Sequence, residues 1–348
     1  MRKPDAGTEI ELKFQVPAER LPALVRALGT ATARSVVLRA RYFDTPDGRL
    51  QAARLAWRLR HEDGRWVQTL KGPGDGLLQR LEHALPRDPA DGDPPLPDPS
   101  LHAGHPAGAA LVRALKGGRA VLRHGTEITR LRRVLRHRGA RIELALDRGE
   151  VVAGAARAAL TELEFELLAG PMPALLDLAG RWARRFGLRL DPASKSERAA
   201  WLLQGLAMRP VARGGRPPPT IGMAPAASRA TRLSAALAHV LSNAAAITEG
   251  RHGPGHLHEL CRGLRRLRGV LRACAPADPP REAALARLLA ALGVAPEADA
   301  QAVAQVLCAP DTTALWLQLL ALTLRDADAA PAGAVLRPAA RPRRRKPR

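Results

Sequence analysis

Aromatic side chains are scarce: Phe, Trp and Tyr make up 3% of the 348 residues, with a single tyrosine. Any core must rest on Leu, Val and Ala, and few rings are on hand to stack an organic base. Cysteine is nearly missing too. Cys261, Cys274 and Cys308 are odd in number, widely spaced and form no CxxC pair, which argues against a disulfide framework or a cysteine zinc site. They are expected to be free thiols that behave as small hydrophobes. The opening MRKPDAGTEIELK has no apolar signal-peptide core. The best apolar run, Leu315 to Leu324, is interrupted by Gln318 and is too short to span a bilayer. A cytoplasmic protein with no membrane partner is expected. Acidic residues are in deficit, 33 against 55 Lys and Arg, for a formal net charge of +22. Part of the excess sits in a Pro-interrupted tail after Val335 that contains no acid. Such a tail is expected to be disordered and to hold nucleic acid only non-specifically. The remaining excess implies phosphate-rich partners.

What is present divides the chain. Hydrophobic residues make up 46%, against wholesale disorder. Residues 1–205 read mainly as strands and residues 226–328 as helices. Between them, 206–225 has the Pro and Gly density of a linker, and 329–348 form the basic tail. A second Pro-rich stretch, 86–100, reads as a surface loop because strand-like segments resume after it.

The strand half alternates with period two. In TEIELKFQV, Ile10, Leu12, Phe14 and Val16 oppose Glu9, Glu11 and Lys13. In LAWRLRHEDGRWVQTLK, Asp63-Gly64 marks a hairpin turn. Arg58 and Arg60 share one face there, Trp57 and Trp66 lie on the other, and Lys71 ends the return strand. TRLRRVL pairs Arg130 with Arg132. RIELALDRGE sets Glu143 and Asp147 opposite Ile142, Leu144 and Leu146. TELEFELL sets Glu162, Glu164 and Glu166 opposite Leu163, Phe165 and Leu167. The polar faces are almost purely charged and sort by sign, which a solvated sheet does not require. A closed barrel with apolar faces outward under helices and charged faces inward accounts for the pattern.

Hard divalent cations prefer carboxylate oxygens, and phosphoryl oxygens suit Arg and Lys. Carboxylates on some walls and cations on others therefore suit hydrolysis of a phosphoanhydride, which is catalysed mostly by positioning and charge neutralisation.

The order of these segments resembles the CYTH domain, the triphosphate tunnel metalloenzymes. Glu9-Ile10-Glu11-Leu12-Lys13 matches the ExExK signature. Tyr42 to Pro46, the paired-arginine strand, Arg80-Leu81-Glu82, 129–133, 142–154, 161–170 and 194–199 follow in the family's order. The resemblance implies an eight-stranded antiparallel barrel in an α+β N-terminal domain, joined to an all-α C-terminal part. It implies that Glu9, Glu11, Asp147, Glu162 and Glu164 bind Mg²⁺ or Mn²⁺. It implies that Lys13, Arg58, Arg60, Lys71, Arg80, Arg130 and Lys195 grip the triphosphate, with Arg39, Arg41 and Arg132 as further substrate contacts and Glu82 and Glu143 in the lumen. HELCRGLRRLR resembles the His-and-Arg helix of CHAD domains, which implies polyphosphate contacts at His258, Arg262, Arg265 and Arg266. Only about a hundred residues remain for that module, fewer than such domains use. Leu260, Leu264, Leu267 and Leu271 are its expected core.

The activity implied is metal-dependent hydrolysis of inorganic triphosphate to pyrophosphate and phosphate. The alternatives are a non-catalytic polyphosphate binder, or a CYTH enzyme acting on thiamine triphosphate, a nucleotide or, as a cyclase, ATP. His252, His256 and His258 follow no zinc spacing, and KGPGDG (71–76) lacks the GK[ST] order of a phosphate-binding loop. A fragment ending at Gln204 is expected to retain hydrolysis.

Overall fold

The computed structural model describes residues 7–74, 76–87, 95–215, 220, 222–274, 278–294 and 300–328. The basic tail at 329–348 lies outside the described residues, as do parts of the 86–100 loop and the linker. Eight strands form the N-terminal half: β1 (Thr8–Gln15), β2 (Arg34–Asp44), β3 (Ala56–Glu62), β4 (Arg65–Pro73), β5 (Gln79–Arg87), β6 (Val121–His137), β7 (Ala140–Ala153) and β8 (Ala156–Ala169). They run in the spatial order β5-β4-β3-β2-β6-β7-β8-β1, and β1 also pairs with β5, so the sheet closes into an antiparallel barrel. The two parts of β1 serve different neighbours. Residues 8–10 face β5 and residues 11–15 face β8. The hairpin between β3 and β4 turns through Asp63 (φ 50°) and Gly64 (φ 76°), the left-handed pair that a two-residue loop demands.

Alternation along each strand decides what is covered. Ile10, Leu12 and Phe14, Ile142, Leu144 and Leu146, and Leu163, Phe165 and Leu167 all point out of the barrel into one buried core. Phe14 meets Phe165 edge-on, with ring centroids 5.5 Å apart. Helix α1 (Leu21–Leu28) joins this core through Leu24 and Leu28. Two further helices, α2 (Arg49–Ala52) and α3 (Pro106–Leu115), cover Trp57 and Leu70 from β3 and β4. The YFDTP segment has a local structural role here. The Asp44 carboxylate accepts hydrogen bonds from the backbone N–H groups of Thr45, Leu50 and Gln51, which fixes the turn into α2.

The chain then forms α4 (Met172–Phe186), the two-residue β9 (Arg189–Leu190) beside β1, and α5 (Lys195–Leu203), which opens on a capping box between Ser194 and Glu197. Among the described residues five helices follow: α6 (Pro225–Thr248), α7 (Pro254–Cys274), α8 (Pro279–Val294), α9 (Ala300–Cys308) and α10 (Pro310–Asp328). Leu260, Leu264, Leu267 and Leu271 of α7 are buried as their spacing predicts. Cys261 and Cys308 are free thiols. No single helix among the described residues is long and apolar enough to cross a membrane. The bent pair α9–α10 passes on length and composition alone, and Leu315, Trp316, Leu319 and Leu320 of α10 are buried in the protein's own core.

The helical half and the barrel share one core. α10 lies along α4, and Leu237, Val240 and Leu241 of α6 join the same cluster as Leu12 and Phe165. A buried polar network reinforces the seam. Asp191, next to β9, is ion-paired with Arg198 of α5 and, at 2.7 Å, with Arg209; Glu249 at the end of α6 pairs with both arginines. Gln15, the last residue of β1, donates to Asp191 (3.0 Å) and to the Ala245 carbonyl (3.1 Å). Arg209 belongs to the stretch that composition reads as a linker, yet it is buried, and Asn243 holds Ala212 through two backbone hydrogen bonds. Where it is described, that stretch is therefore anchored chain and not a free spacer. The expectation for a fragment ending at Gln204 changes accordingly. Such a fragment would lose Arg209 and Glu249 and bare the apolar side chains of α4.

Two outcomes follow. Burial works against ionising Asp191, but Arg209 and Arg198 hold its carboxyl well below the ordinary carboxylate range. That contribution is present above the unfolded carboxylate pKa of about 4 and is lost as pH falls below it. Asp191→Ala leaves two buried guanidinium groups short of a partner and is expected to cost about 3–5 kcal/mol, read by urea denaturation at pH 7, with the gap to the parent closing in acid. The fragment ending at Gln204 is expected to aggregate or to melt well below the full chain in calorimetry; a soluble fragment with the parent's melting temperature would contradict the shared core.

Candidate active site in the barrel lumen

Residues paired across antiparallel strands point to the same face, so the register identifies the lumen. Glu9, Glu11, Lys13 and Gln15 of β1 face inward, and with them Arg80 and Glu82 of β5, Lys71 of β4, Arg58 and Arg60 of β3, Arg130 and Arg132 of β6, Glu143 and Asp147 of β7, and Glu162, Glu164 and Glu166 of β8. Lys195 enters from the first turn of α5.

The densest part of the site is a trio. The carboxylates of Asp147, Glu162 and Glu164 each offer an oxygen within 4.8 Å of the others. Lys195 sits among all three, at 2.8 Å from Asp147, 2.5 Å from Glu162 and 2.8 Å from Glu164. Arg130 closes the cluster with a fork onto Asp147 (2.6 and 2.8 Å) and a contact to Glu164 (2.5 Å). A second group lies along β1. Lys71 pairs with Glu9 and, at 3.5 Å, with Glu82, while Glu11 meets Lys13 at 3.2 Å and Arg80 at 3.8 Å. On the facing wall, Arg58 donates to the Tyr42 hydroxyl (3.2 Å), and Arg60 pairs with Glu62 (2.6 Å). The buried Nε atoms of Arg58 and Arg60 have no acceptor among the described residues. Arg132 lies 3.6 Å from Glu62.

Burial strains these charges. It pushes Glu9 up to about 8 against the pull of Lys71, and Glu166 up to about 7 with Glu143 and Glu82 adding repulsion. Burial acts on Glu11 and Glu164 in the same direction, but Lys13 and Lys71 hold Glu11 down to about 2, and Lys195 and Arg130 hold Glu164 well below the carboxylate range. Burial together with neighbouring Arg58 lowers Arg60 to about 10. An arginine weakened by its like-charged neighbour, with an N–H unpaired, is a group short of an anion.

Not every expected residue arrives. Arg39 and Arg41 are corrected. On β2 it is Ala40 and Tyr42 that pair with Arg60 and Arg58, whereas Arg39 pairs with His61 and Arg41 with Leu59. Both arginines are exposed on the outer wall. β2 inverts the pattern of its neighbours because Val36 and Leu38 turn inward to meet Ile128 and Leu160 in a small apolar plug. The plug also shows that the lumen is not charged throughout. Tyr42 and Gln15 are inward residues that sequence reasoning did not select; Gln15 simply continues the alternation from Glu9. On α7, His258, Arg262 and Arg265 are exposed and Arg266 donates to the Gly215 carbonyl (2.7 Å). His256 is buried against its own Gly253 backbone, and the histidines there form no metal-ligand group among the described residues.

A CYTH domain model matches residues 7–200. The chain belongs to the CYTH family. Over 196 residues it is 25% identical to an inorganic triphosphatase of Haemophilus influenzae, an alignment covering 55% of this chain and 53% of that protein, so the chain spans about half the length of this curated relative. Similar solved structures include a Hippeastrum protein described as a candidate adenylyl cyclase with a dominant triphosphatase activity, at 21% identity over 57% of this chain and 96% of that one, TM-score 0.39. Another is a Bacillus halodurans protein described as a candidate adenylate cyclase, at 21% identity over 54% and 95%, TM-score 0.37.

Within this CYTH domain the donor set fits a hard divalent cation. Asp147, Glu162 and Glu164 present only oxygens, and their negative charge is met by Lys195 and Arg130, groups of the kind an ion would replace. Removing Lys195 should expose that need. In metal-free buffer Lys195→Ala is expected to melt below the parent, and added Mg²⁺ or Mn²⁺ should raise its melting temperature by more than it raises the parent's. An equal or smaller rise in calorimetry would take the ion away from this trio.

Proposed function

We propose that the lumen hydrolyses inorganic triphosphate to pyrophosphate and phosphate, using Mg²⁺ or Mn²⁺. The observation that carries this reading is the pair of opposed walls: the Asp147–Glu162–Glu164 trio on one side and Arg58 and Arg60, with unsatisfied N–H groups, on the other. Asp147, Glu162 and Glu164, with Glu9 and Glu11 beyond them, would hold the metal, which when bound supplies positive charge to the phosphate oxygens. Arg58, Arg60, Lys71, Arg80 and Arg130 neutralise and orient the chain of phosphates, with Lys13 and Lys195 at the trio and Arg132 toward Glu62. Water attacks the terminal phosphorus, the bridging P–O bond breaks, and pyrophosphate leaves with the electron pair. Fixed cations in a low-dielectric lumen favour the charge distribution of that transition state.

An inorganic substrate is supported by the lining. Tyr42 and His124 are stacked on each other at 4.5 Å, and Trp57 and Trp66 face outward, away from the charged wall. The relative from Haemophilus influenzae carries the same activity in its name. A polyphosphate-binding role for the helical half, as the CHAD-like resemblance implies, is supported by the exposed His258, Arg262 and Arg265 on one stretch of α7.

Phosphate release from inorganic triphosphate, ATP, thiamine triphosphate and long-chain polyphosphate, with and without Mg²⁺ or Mn²⁺, tests the reading. Release is expected to be fastest on inorganic triphosphate and to stop with a chelator. Glu164→Gln, which keeps the side chain's shape, is expected to lower kcat by about 100-fold or more while the circular dichroism spectrum is kept. Near-parental turnover in that variant would remove Glu164 from the site.

A further inference from the structure

The two arginines that miss the lumen frame a second concavity on the outer wall of the barrel. It has a volume of about 540 Å³ and spreads over β2, β3, β4, β6 and the end of β7, within the range of small-molecule sites. Arg39 and Arg41, two residues apart on one face of β2, are exposed and make no hydrogen bond or ion pair among the described residues. Arg123 joins them from β6, where a register shift between Tyr42 and Phe43 leaves it opposite no partner and turns it to the Pro46 carbonyl (3.3 Å). Bulges re-aim side chains in this way. The floor carries the half-buried His61 ring, backed by the buried Trp66 with ring centroids 5.1 Å apart, and Leu122, which is 56% exposed. Gly125 also lines the concavity, and a Cβ there would come within 2.9 Å of the Ala40 carbonyl oxygen. Glu127, the one acid among the described lining residues, already faces Arg157 at 3.7 Å.

We propose that this concavity is a ligand site separate from the lumen and that it takes a nucleotide. Unpaired guanidinium groups in a row match the oxygens of a phosphate. A bare phosphate would leave the half-buried His61 ring and the exposed Leu122 uncovered, whereas a base laid over them buries that surface and gains from stacking on the imidazole. The site does not depend on the chemistry of the lumen, which lies on the opposite face of the same strands.

The test uses the full chain in metal-free buffer, with adenosine monophosphate as probe and calorimetric titration as readout. Binding to the parent is expected. It should weaken by about tenfold or more in the double variant Arg39→Ala/Arg41→Ala and change by less than about twofold in Arg58→Ala, whose side chain faces the lumen. Inorganic phosphate should bind the parent at least about tenfold more weakly than the nucleotide. No binding to the parent would overturn the proposal. So would loss of binding in Arg58→Ala with retention in the double variant, or equal affinity for inorganic phosphate.

Discussion

The pairing of β1 with β5 through Thr8, Glu9 and Ile10 turns a sheet into a barrel, and the rest of the molecule depends on that closure. An open sheet would leave both edges unpaired and its charged face in water. Closed, the same face becomes a lumen in which Glu9, Glu11 and Lys13 lose most of their solvent. The price is set by burial of charge, and the structure meets it by interleaving signs. Each carboxylate of the Asp147 trio lies within 2.8 Å of Lys195, and Glu9 and Glu11 are matched by Lys71 and Lys13. The match is incomplete at Glu166, whose carboxyl burial pushes up to about 7, and at the Nε atoms of Arg58 and Arg60, which have no acceptor among the described residues.

β1 also couples the barrel to the helices. Its outward residues Leu12 and Phe14 enter the core that α6 and α10 complete, and its last residue, Gln15, bonds to α6. From there Asp191, Arg198 and Arg209 lead back to α5, and Lys195 lies one turn before Arg198 on that helix. The side chain in the middle of the acidic trio is therefore held by a helix that the C-terminal half helps to fix. In this chain the helices are part of the scaffold of the lumen.

Most of the fold and much of the candidate site were legible because a strand has a short, strict period. Glu162, Leu163, Glu164 and Phe165 cannot share a face, so the alternation separates lumen from core without any knowledge of neighbours. The Asp63-Gly64 turn was legible for a similar reason, since both residues tolerate positive φ. β2 was misread because its sequence, RSVVLRARYFD, alternates equally well with either face inward. Only its register against Arg58 and Arg60 shows that Ala40 and Tyr42 face the lumen and that Arg39 and Arg41 do not.

The amino-acid sequence by itself determined which residues alternate, where turns fall and which charges travel together on a strand, because those properties follow from local backbone geometry. Tertiary structure alone decided which face of β2 looks inward, that Arg209 within the linker-like stretch is buried, and that Lys195 reaches the acidic trio from a helix. Each of these rests on contacts between segments far apart in the chain, and no local periodicity encodes them.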